Sequence, residues 1–160
     1  MMKIGILVHS VNGNTLSVCE ALKEKLLASG HKVNLERISA IEKEPVQSKD
    51  KSKIALKSIP DISQYDIVVL AAPVHGFSIS EVMQAYLLRI NYMHDLKVAC
   101  ITTQQFPYPW MGGNRAIKQL ASICESKGAT VVEKGIVNWS SSKRSKMIED
   151  VVEKFNLELF

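Results

Sequence analysis

Apolar runs and amphipathic helical patterns alternate along the whole chain. The runs Asp66 to Ala72 and Lys97 to Thr102 are continuously apolar, which is typical of central strands covered on both faces. Three further strands are predicted at Lys3 to His9, Lys32 to Ile38 and about Thr130 to Val137. Repeated βα units of this kind predict an α/β protein with a five-stranded parallel sheet and helices on both faces.

Helical periodicity predicts four helices among these strands. The first, about Asn14 to Ser29, carries an apolar stripe and ends before Gly30. The other three helices are predicted at about Ser80 to Tyr92, Asn114 to Lys127 and Ser142 to Phe155.

The second and third predicted strands are joined by a long connection without a predicted long helix. The stretch Ser39 to Ser63 is polar, rich in lysine and interrupted by Pro45 and Pro60, so any helix in it must be short. Its lysines, from Lys43 to Lys57, can supply a phosphate-binding surface if the segment folds over a ligand site.

Composition narrows the class of protein. With 160 residues, 46% of them apolar and 22% charged, the chain fits one domain spanning 1–160. We expect a cytoplasmic protein, because no apolar stretch suits a membrane span and the chain starts directly with a strand. The net charge of +4 comes from scattered lysines, which does not indicate a nucleic-acid partner. Cys19, Cys100 and Cys124 lie in apolar patterns and are expected to be buried, reduced thiols.

The loop after the first strand is the most informative segment. It combines hydroxyl and amide side chains, one glycine and the start of a helix, in the order Ser10, Val11, Asn12, Gly13, Asn14, Thr15. Backbone N–H groups and the helix dipole can bind one anion there without a cation. The loop lacks the lysine of a Walker A motif and the three glycines of a dinucleotide fingerprint. It therefore predicts a site for a lone phosphomonoester, and the alternative is an Asn-Gly turn capped by Asn14 or Thr15.

Two further loops follow the carboxyl ends of strands three and four. The candidate binding residues in them are Pro73, Val74, His75, Gly76, Phe77, Thr103, Gln104, Tyr108, Trp110 and Gly112. In an open parallel sheet, ligands bind beyond these strand ends, where the strand order reverses. Aromatic side chains cover the faces of a flat ring, and glycine lets the backbone approach its polar edge. The three loops together predict a site for a phosphorylated heteroaromatic molecule.

These segments resemble the flavodoxin-like family, whose doubly wound sheet has the order 2-1-3-4-5 and binds FMN without a covalent bond. Ser10 to Thr15 resembles the family's S/T-x-T-G-N-T phosphate loop, with Asn12 in place of a threonine. The resemblance covers essentially the whole chain. It implies FMN as the cofactor, with its phosphate at this loop.

The resemblance also implies roles for the other two loops. The peptide from Gly76 to Phe77 would lie against the flavin N5 and can turn over on reduction. Either Tyr108 or Trp110 would stack on the ring. His75 stands where the family commonly has an aromatic residue before the glycine, and it can stack on the ring, donate a hydrogen bond or supply positive charge. The alternative for His75 is a loop histidine that faces solvent.

Other chemistries have little support in the sequence. His9, His31 and His94 lack metal-ligand spacing, so no metal site is expected. A G-x-S-x-G elbow and paired carboxylates are both missing, which argues against hydrolysis. Strand one ends at His9 without a carboxylate, which argues against a response-regulator module of the same fold. No side chain is assigned a catalytic role, because a flavin carries the redox chemistry.

Two redox functions fit this site. We expect an electron carrier that docks on a protein redox partner, because the chain contains no second phosphate-binding motif. The alternative is an NAD(P)H-dependent FMN or quinone reductase, which binds a second molecule over the ring. The basic charge departs from the acidic surface typical of flavodoxins that act as shuttles. Either a monomer or a homodimer is compatible with the sequence.

Overall fold

The computed structural model describes residues 1–44, 46 and 49–158. Its strands are β1 (Lys3–Val8), β2 (Lys32–Arg37), β3 (Ile67–His75), β4 (Ser78–Ile79), β5 (Lys97–Gln104) and β6 (Thr130–Asn138). Its α-helices are α1 (Asn14–Ala28), α2 (Glu81–Leu88), α3 (Gly113–Ser126) and α4 (Arg144–Glu158). Short 3₁₀ turns lie at Lys51–Lys53, Ile62–Gln64 and Pro109–Met111.

The main sheet is parallel and has the order β2-β1-β3-β5-β6. The two-residue strand β4 pairs antiparallel with the end of β3 and lies off this path. The strand β4 was not predicted. The predicted strands four and five are therefore numbered β5 and β6. The predicted flavodoxin-like order 2-1-3-4-5 is otherwise confirmed.

Successive residues of β3 contribute to two different cores. Val68 and Leu70 pack on the side of α2 and α3, whereas Ile67 and Val69 pack on the side of α1 and α4. All four side chains are fully buried. This confirms the prediction that the continuous apolar runs form central strands with both faces covered.

Gly5 in β1 lets an aromatic ring approach the sheet closely. A Cβ atom at this position would lie 2.4 Å from ring carbons of Tyr65. The Tyr65 hydroxyl donates a hydrogen bond of 2.5 Å to Glu36, which fixes the ring across the strand. A side chain at position 5 would therefore displace Tyr65 from its place against β1.

The lysine-rich connection forms a loop that is closed at its base and packs beside α2. An antiparallel bridge joins Ala40 to Leu56, and Arg89 Nη2 donates to the carbonyl oxygen of Ile54 at 2.5 Å. Val46 and Ile54 are buried in the core on that side of the sheet. The expected interruption at Pro45 lies outside the described residues. In the described residues of this connection the helical pieces are 3₁₀ turns of three residues each, in agreement with the prediction that any helix there is short.

Helix α2 is shorter than the predicted span, which extended to Tyr92. It ends at Leu88, and Arg89 Nη1 donates back to the carbonyl oxygen of Ala85 at 2.7 Å. Beyond this end, Met93 is buried and its backbone N–H donates to Lys127 at 2.6 Å. The chain after Leu88 therefore follows a non-helical path that is joined to the end of α3.

Candidate functional site

The loop between β1 and α1 folds around the hydroxyl of Ser10. Ser10 Oγ accepts hydrogen bonds from the backbone N–H groups of Gly13 at 3.2 Å and Leu16 at 3.3 Å. Gly13 has a φ of 89°, a left-handed conformation that glycine adopts without steric cost. Ser10 is buried, so its hydroxyl holds the loop in shape from below.

The same loop leaves backbone donors for an anion. In the described part of the chain, the N–H groups of Val11, Asn12 and Thr15 have no hydrogen-bond acceptor. The first turn of α1 contains no acidic residue, so the positive end of its dipole is not neutralised locally. These features fit a phosphate group.

A cation lies closer to this loop than the sequence indicated. Arg37, at the end of β2, donates from Nη2 to the carbonyl oxygen of Ser10 at 3.2 Å. The parallel register pairs Val8 with Arg37, so the end of β2 lies beside the start of the loop. Arg37 lies 27 residues from Ser10 in the sequence and was not predicted at this site. Its position after the second predicted strand was the available signal.

Thr15 and Thr103 connect the first loop to the end of β5. Their hydroxyl oxygens are 2.8 Å apart, and both side chains are buried. A displacement of β5 would therefore move the first turn of α1 as well. Two of the three predicted loops are thus linked directly by hydrogen-bonding side chains.

The second predicted loop is a tight β-hairpin. His75 pairs with Ser78, and the two residues between them, Gly76 and Phe77, have φ angles of 56° and 66°. Positive φ at both central residues is the signature of a type I′ turn, which matches the twist of the strands. Phe77 has a Cβ atom and adopts this conformation at a steric cost, as residues at functional sites often do.

Gln104 organises the third predicted loop. Its Nε2 donates to the carbonyl oxygen of Tyr108 at 2.5 Å and to Oδ1 of Asn138. Its Oε1 accepts from the backbone N–H of Gly113 at 2.9 Å, at the start of α3. The one side chain thereby connects the loop, β6 and α3.

The two candidate stacking residues contact each other. The rings of Tyr108 and Trp110 are stacked, with centroids 5.8 Å apart and an interplanar angle of 5°. They are 55% and 72% exposed to solvent. Neither ring lies in the wall of the cleft that the three loops enclose.

This cleft has a volume of about 780 Å³ and opens at the carboxyl ends of β1, β3 and β5. The predicted site residues in its wall are Val11, Asn12, Asn14, Pro73, Val74, His75, Gly76, Thr103 and Gln104. The predicted residues outside the wall are Ser10, Gly13, Thr15, Phe77, Tyr108, Trp110 and Gly112. The wall also contains six residues that were not predicted, namely Val46, Lys51, Ser78, Glu81, Gln84 and Gln105. Lys51 shows that the lysine-rich connection does reach this cleft.

His75 is held at the cleft by a carboxylate. Its Nδ1 lies 3.2 Å from Oε2 of Glu81, and both side chains are about a quarter exposed. Because Nδ1 is engaged, Nε2 is the ring nitrogen available to a ligand. The Glu81 carboxylate would also offset positive charge on this imidazole.

His9 lies behind His75 and is almost completely buried. The two imidazole centroids are 6.3 Å apart. His9 Nδ1 lies 2.7 Å from the Ser80 hydroxyl, and Nε2 is hydrogen bonded to the Glu44 carboxylate. Ser80 Oγ in turn accepts from the N–H of Met83 as the N-cap of α2. These hydrogen bonds connect the lysine-rich connection to the end of β1. The sequence did not indicate them, because the partners of His9 are distant along the chain.

Burial lowers the pKa of His9 below its ordinary value of 6.5, and Glu44 opposes this shift with a smaller effect. Below about pH 6.5 the imidazole of His9 binds a proton in the unfolded chain but not in the folded one. The free energy of unfolding therefore falls as the pH decreases through this range. We expect His9→Gln to flatten the fall in unfolding free energy between about pH 7 and pH 5, measured by urea unfolding.

His94 offers a matched control, because its side chain is 78% exposed. His94→Gln is expected to retain the pH dependence of the original chain. An unchanged pH profile in His9→Gln would contradict the assignment.

In residues 1–44, 46 and 49–158, no group of three or more metal-ligating side chains is positioned to hold an ion. None of the helices in those residues is long and apolar enough to cross a membrane. Cys19, Cys100 and Cys124 are buried free thiols, as predicted.

One protein-family model and several solved structures are similar to this chain. The family model described as NADPH-dependent FMN reductase matches residues 2–144. Comparison with curated protein sequences gave no match.

Solved structures share the fold at low identity. A flavodoxin from Streptococcus pneumoniae TIGR4 is 20% identical, with a TM-score of 0.67, covering 98% of this chain and 97% of its own. The apo form of an NADH:FMN oxidoreductase, EMOB, is 17% identical, with a TM-score of 0.70 and coverages of 98% and 89%. A flavoprotein in complex with FMN from Lactobacillus acidophilus is 16% identical, with a TM-score of 0.60 and coverages of 92% and 99%. All three support the flavodoxin-like fold.

Proposed function

Because the chain belongs to the NADPH-dependent FMN reductase family, we propose that it binds one FMN noncovalently and reduces it with NAD(P)H. Electrons then pass to a second, small acceptor such as a free flavin or a quinone. This proposal and its alternative, an electron carrier, both require the flavodoxin-like fold and a flavin-dependent redox function.

The cofactor is proposed to lie with its phosphate at the loop after β1. The N–H groups of Val11, Asn12 and Thr15 are the donors available to the phosphate oxygens. The walls at Pro73 to Gly76 and at Thr103 to Gln105 bound the space for the ring. A cleft of about 780 Å³ is within the range that cofactor-sized ligands occupy.

The side chains around the ring are proposed to bind and orient it. When bound, the flavin supplies the hydride-accepting ring, and the chain supplies its position. Glu81 holds His75 Nδ1, so that Nε2 is the nitrogen that can exchange a hydrogen bond with the ring. Gly76 lines the cleft, so the strained Gly76–Phe77 turn is proposed to present its backbone groups to the flavin edge.

One observation carries the preference for a reductase over a carrier. Among the described residues that line the cleft there is no phenylalanine, tyrosine or tryptophan. A ring held there would keep one face open, and hydride transfer requires the nicotinamide to contact that face directly. Lys51 adds positive charge to the wall beside it, which suits an anionic second substrate.

Anaerobic stopped-flow mixing tests this function. The FMN-loaded protein is mixed with NADPH or NADH, and the flavin absorbance is followed. We expect bleaching at tens per second with at least one of the two nucleotides. No bleaching over minutes would contradict the reductase function and favour the carrier.

An electron carrier is the second candidate. The aromatic side chains of Phe106, Tyr108 and Trp110 are all more than half exposed on the loop after β5, beside the cleft. Such a patch suits a protein redox partner that docks over the flavin edge. In either function a reducing cytoplasm is the proposed compartment, because it suits the three free thiols.

A further inference from the structure

A second, smaller pocket opens beside the flavin cleft. This side pocket has a volume of about 360 Å³ and is lined by Lys49, Asp50, Lys51, Gln84, Leu87, Leu88, Ile123 and Lys127. It shares Lys51 and Gln84 with the cleft, so the two spaces adjoin. A ligand that extends out of the cleft past Gln84 enters the side pocket.

The floor of the side pocket is apolar. Leu87 and Leu88 come from the end of α2, and Ile123 comes from the facing turn of α3. Leu88 is 58% exposed, whereas Leu87 is almost fully buried. An aromatic base packed on these side chains would remove this apolar area from water.

The rim of the side pocket is positively charged. Lys49 and Lys51 come from the lysine-rich connection, and Lys127 is fixed by donating from Nζ to the carbonyl oxygen of Ile90 at 2.8 Å. The carboxylate of Asp50 caps its own 3₁₀ turn, accepting from the N–H of Ser52 at 3.0 Å. Three ammonium groups therefore outweigh one carboxylate that is engaged locally. Anionic groups such as phosphates are favoured at this rim.

The two spaces adjoin through shared wall residues, which suits a bipartite ligand. Gln84 lies in the wall of both, and Leu88 lies one helical turn further along α2, about 6 Å at 1.5 Å per residue. A pyridine dinucleotide consists of two nucleotides joined through a diphosphate. With its nicotinamide in the cleft, its diphosphate would pass Lys51 and its adenine would reach the apolar floor.

We propose that the side pocket binds the adenosine phosphate half of the reduced pyridine dinucleotide, an assignment that rests on the proposed reductase function. Leu88 and Ile123 pack against the adenine, and Lys49 and Lys51 bind phosphate. The lysine-rich connection is thus the second nucleotide-binding element of the chain. The sequence indicated a phosphate-binding surface among the lysines from Lys43 to Lys57, and the fold brings Lys49 and Lys51 to this pocket.

Binding of a fragment tests the pocket without turnover. Adenosine 2′,5′-bisphosphate is titrated into the FMN-loaded protein carrying isotope-labelled isoleucine and leucine methyl groups. We expect the NMR signals of Ile123 and Leu88 to shift on titration. Lys49→Gln is expected to weaken this binding by about five- to ten-fold, whereas Lys57→Gln, an exposed lysine of the same connection outside both spaces, leaves it unchanged.

A comparison of two reductants separates this proposal from the function on which it rests. Reduced nicotinamide mononucleotide lacks the adenosine half. In Lys49→Gln and Leu88→Gln, we expect the KM for NADPH to rise about five- to ten-fold, with kcat/KM for the mononucleotide changed less than two-fold.

Two outcomes would overturn the proposal. If NADPH reduces the flavin at an undiminished rate in both variants and the methyl signals do not shift, the side pocket is not the adenosine site, although the reductase function stands. If neither reductant bleaches the flavin in the original protein, the reductase function fails and the assignment fails with it.

Discussion

FMN is expected to bind about a thousand-fold or more tightly than riboflavin. The loop after β1 offers N–H donors at Val11, Asn12 and Thr15 to the phosphate, at the positive end of α1. Hydrogen bonds to a charged group contribute roughly 1.5 to 3 kcal/mol each, so three of them amount to at least about 4 kcal/mol. Every 1.4 kcal/mol or so corresponds to a ten-fold change in affinity.

Quenching of flavin fluorescence measures both dissociation constants on the apoprotein. Riboflavin carries the same ring, so it reports the contribution of the cleft walls alone. Equal affinities for the two flavins would show that the FMN phosphate does not bind at residues 10–15.

The double variant Ser10→Ala with Thr15→Ala is expected to weaken FMN binding by about ten- to a hundred-fold and to leave the fold intact. Without the Ser10 hydroxyl, the N–H groups of Gly13 and Leu16 lose their acceptor and the loop loses its shape. Without the Thr15 hydroxyl, the link to Thr103 is lost. The backbone donors and the helix dipole remain, which limits the loss.

Ser17→Ala is the matched control for this experiment. Ser17 lies in the first turn of α1 and donates from its hydroxyl to the carbonyl oxygen of Asn14 at 2.8 Å, away from the loop interior. We expect it to keep its FMN affinity within about two-fold. Full affinity in the double variant, with circular dichroism showing an intact fold, would mean that Ser10 and Thr15 serve only as turn and cap residues.

Most of the fold follows from hydrophobic periodicity. Continuous apolar runs of central strands differ clearly from the alternating pattern of β2, and glycines mark the ends of α1 and α3. These are local signals, and the strand order followed from the family resemblance. The strand β4 escaped prediction because two residues carry no periodicity, and its turn depends on positive φ at Phe77.

The candidate phosphate loop at residues 10–15 could be proposed from the sequence because its residues are contiguous, whereas its surroundings depend on contacts distant in sequence. Arg37 reaches Ser10 through the register of β1 and β2, and Glu44 reaches His9 through the path of the lysine-rich connection. Neither pairing can be found from spacing along the chain. The assignment of Tyr108 or Trp110 to the flavin stays a prediction, and their mutual stacking outside the cleft wall could not be foreseen from two aromatics in one loop.

A crystal structure of the protein with FMN tests the central claim most directly. We expect the phosphate oxygens to lie within about 3.2 Å of the backbone nitrogens of Val11, Asn12 and Thr15. The ring is expected between the hairpin at Gly76 and the end of β5 at Gln104, with one face open. A phosphate bound instead at Lys49 and Lys51, with the ring outside this cleft, would contradict the account.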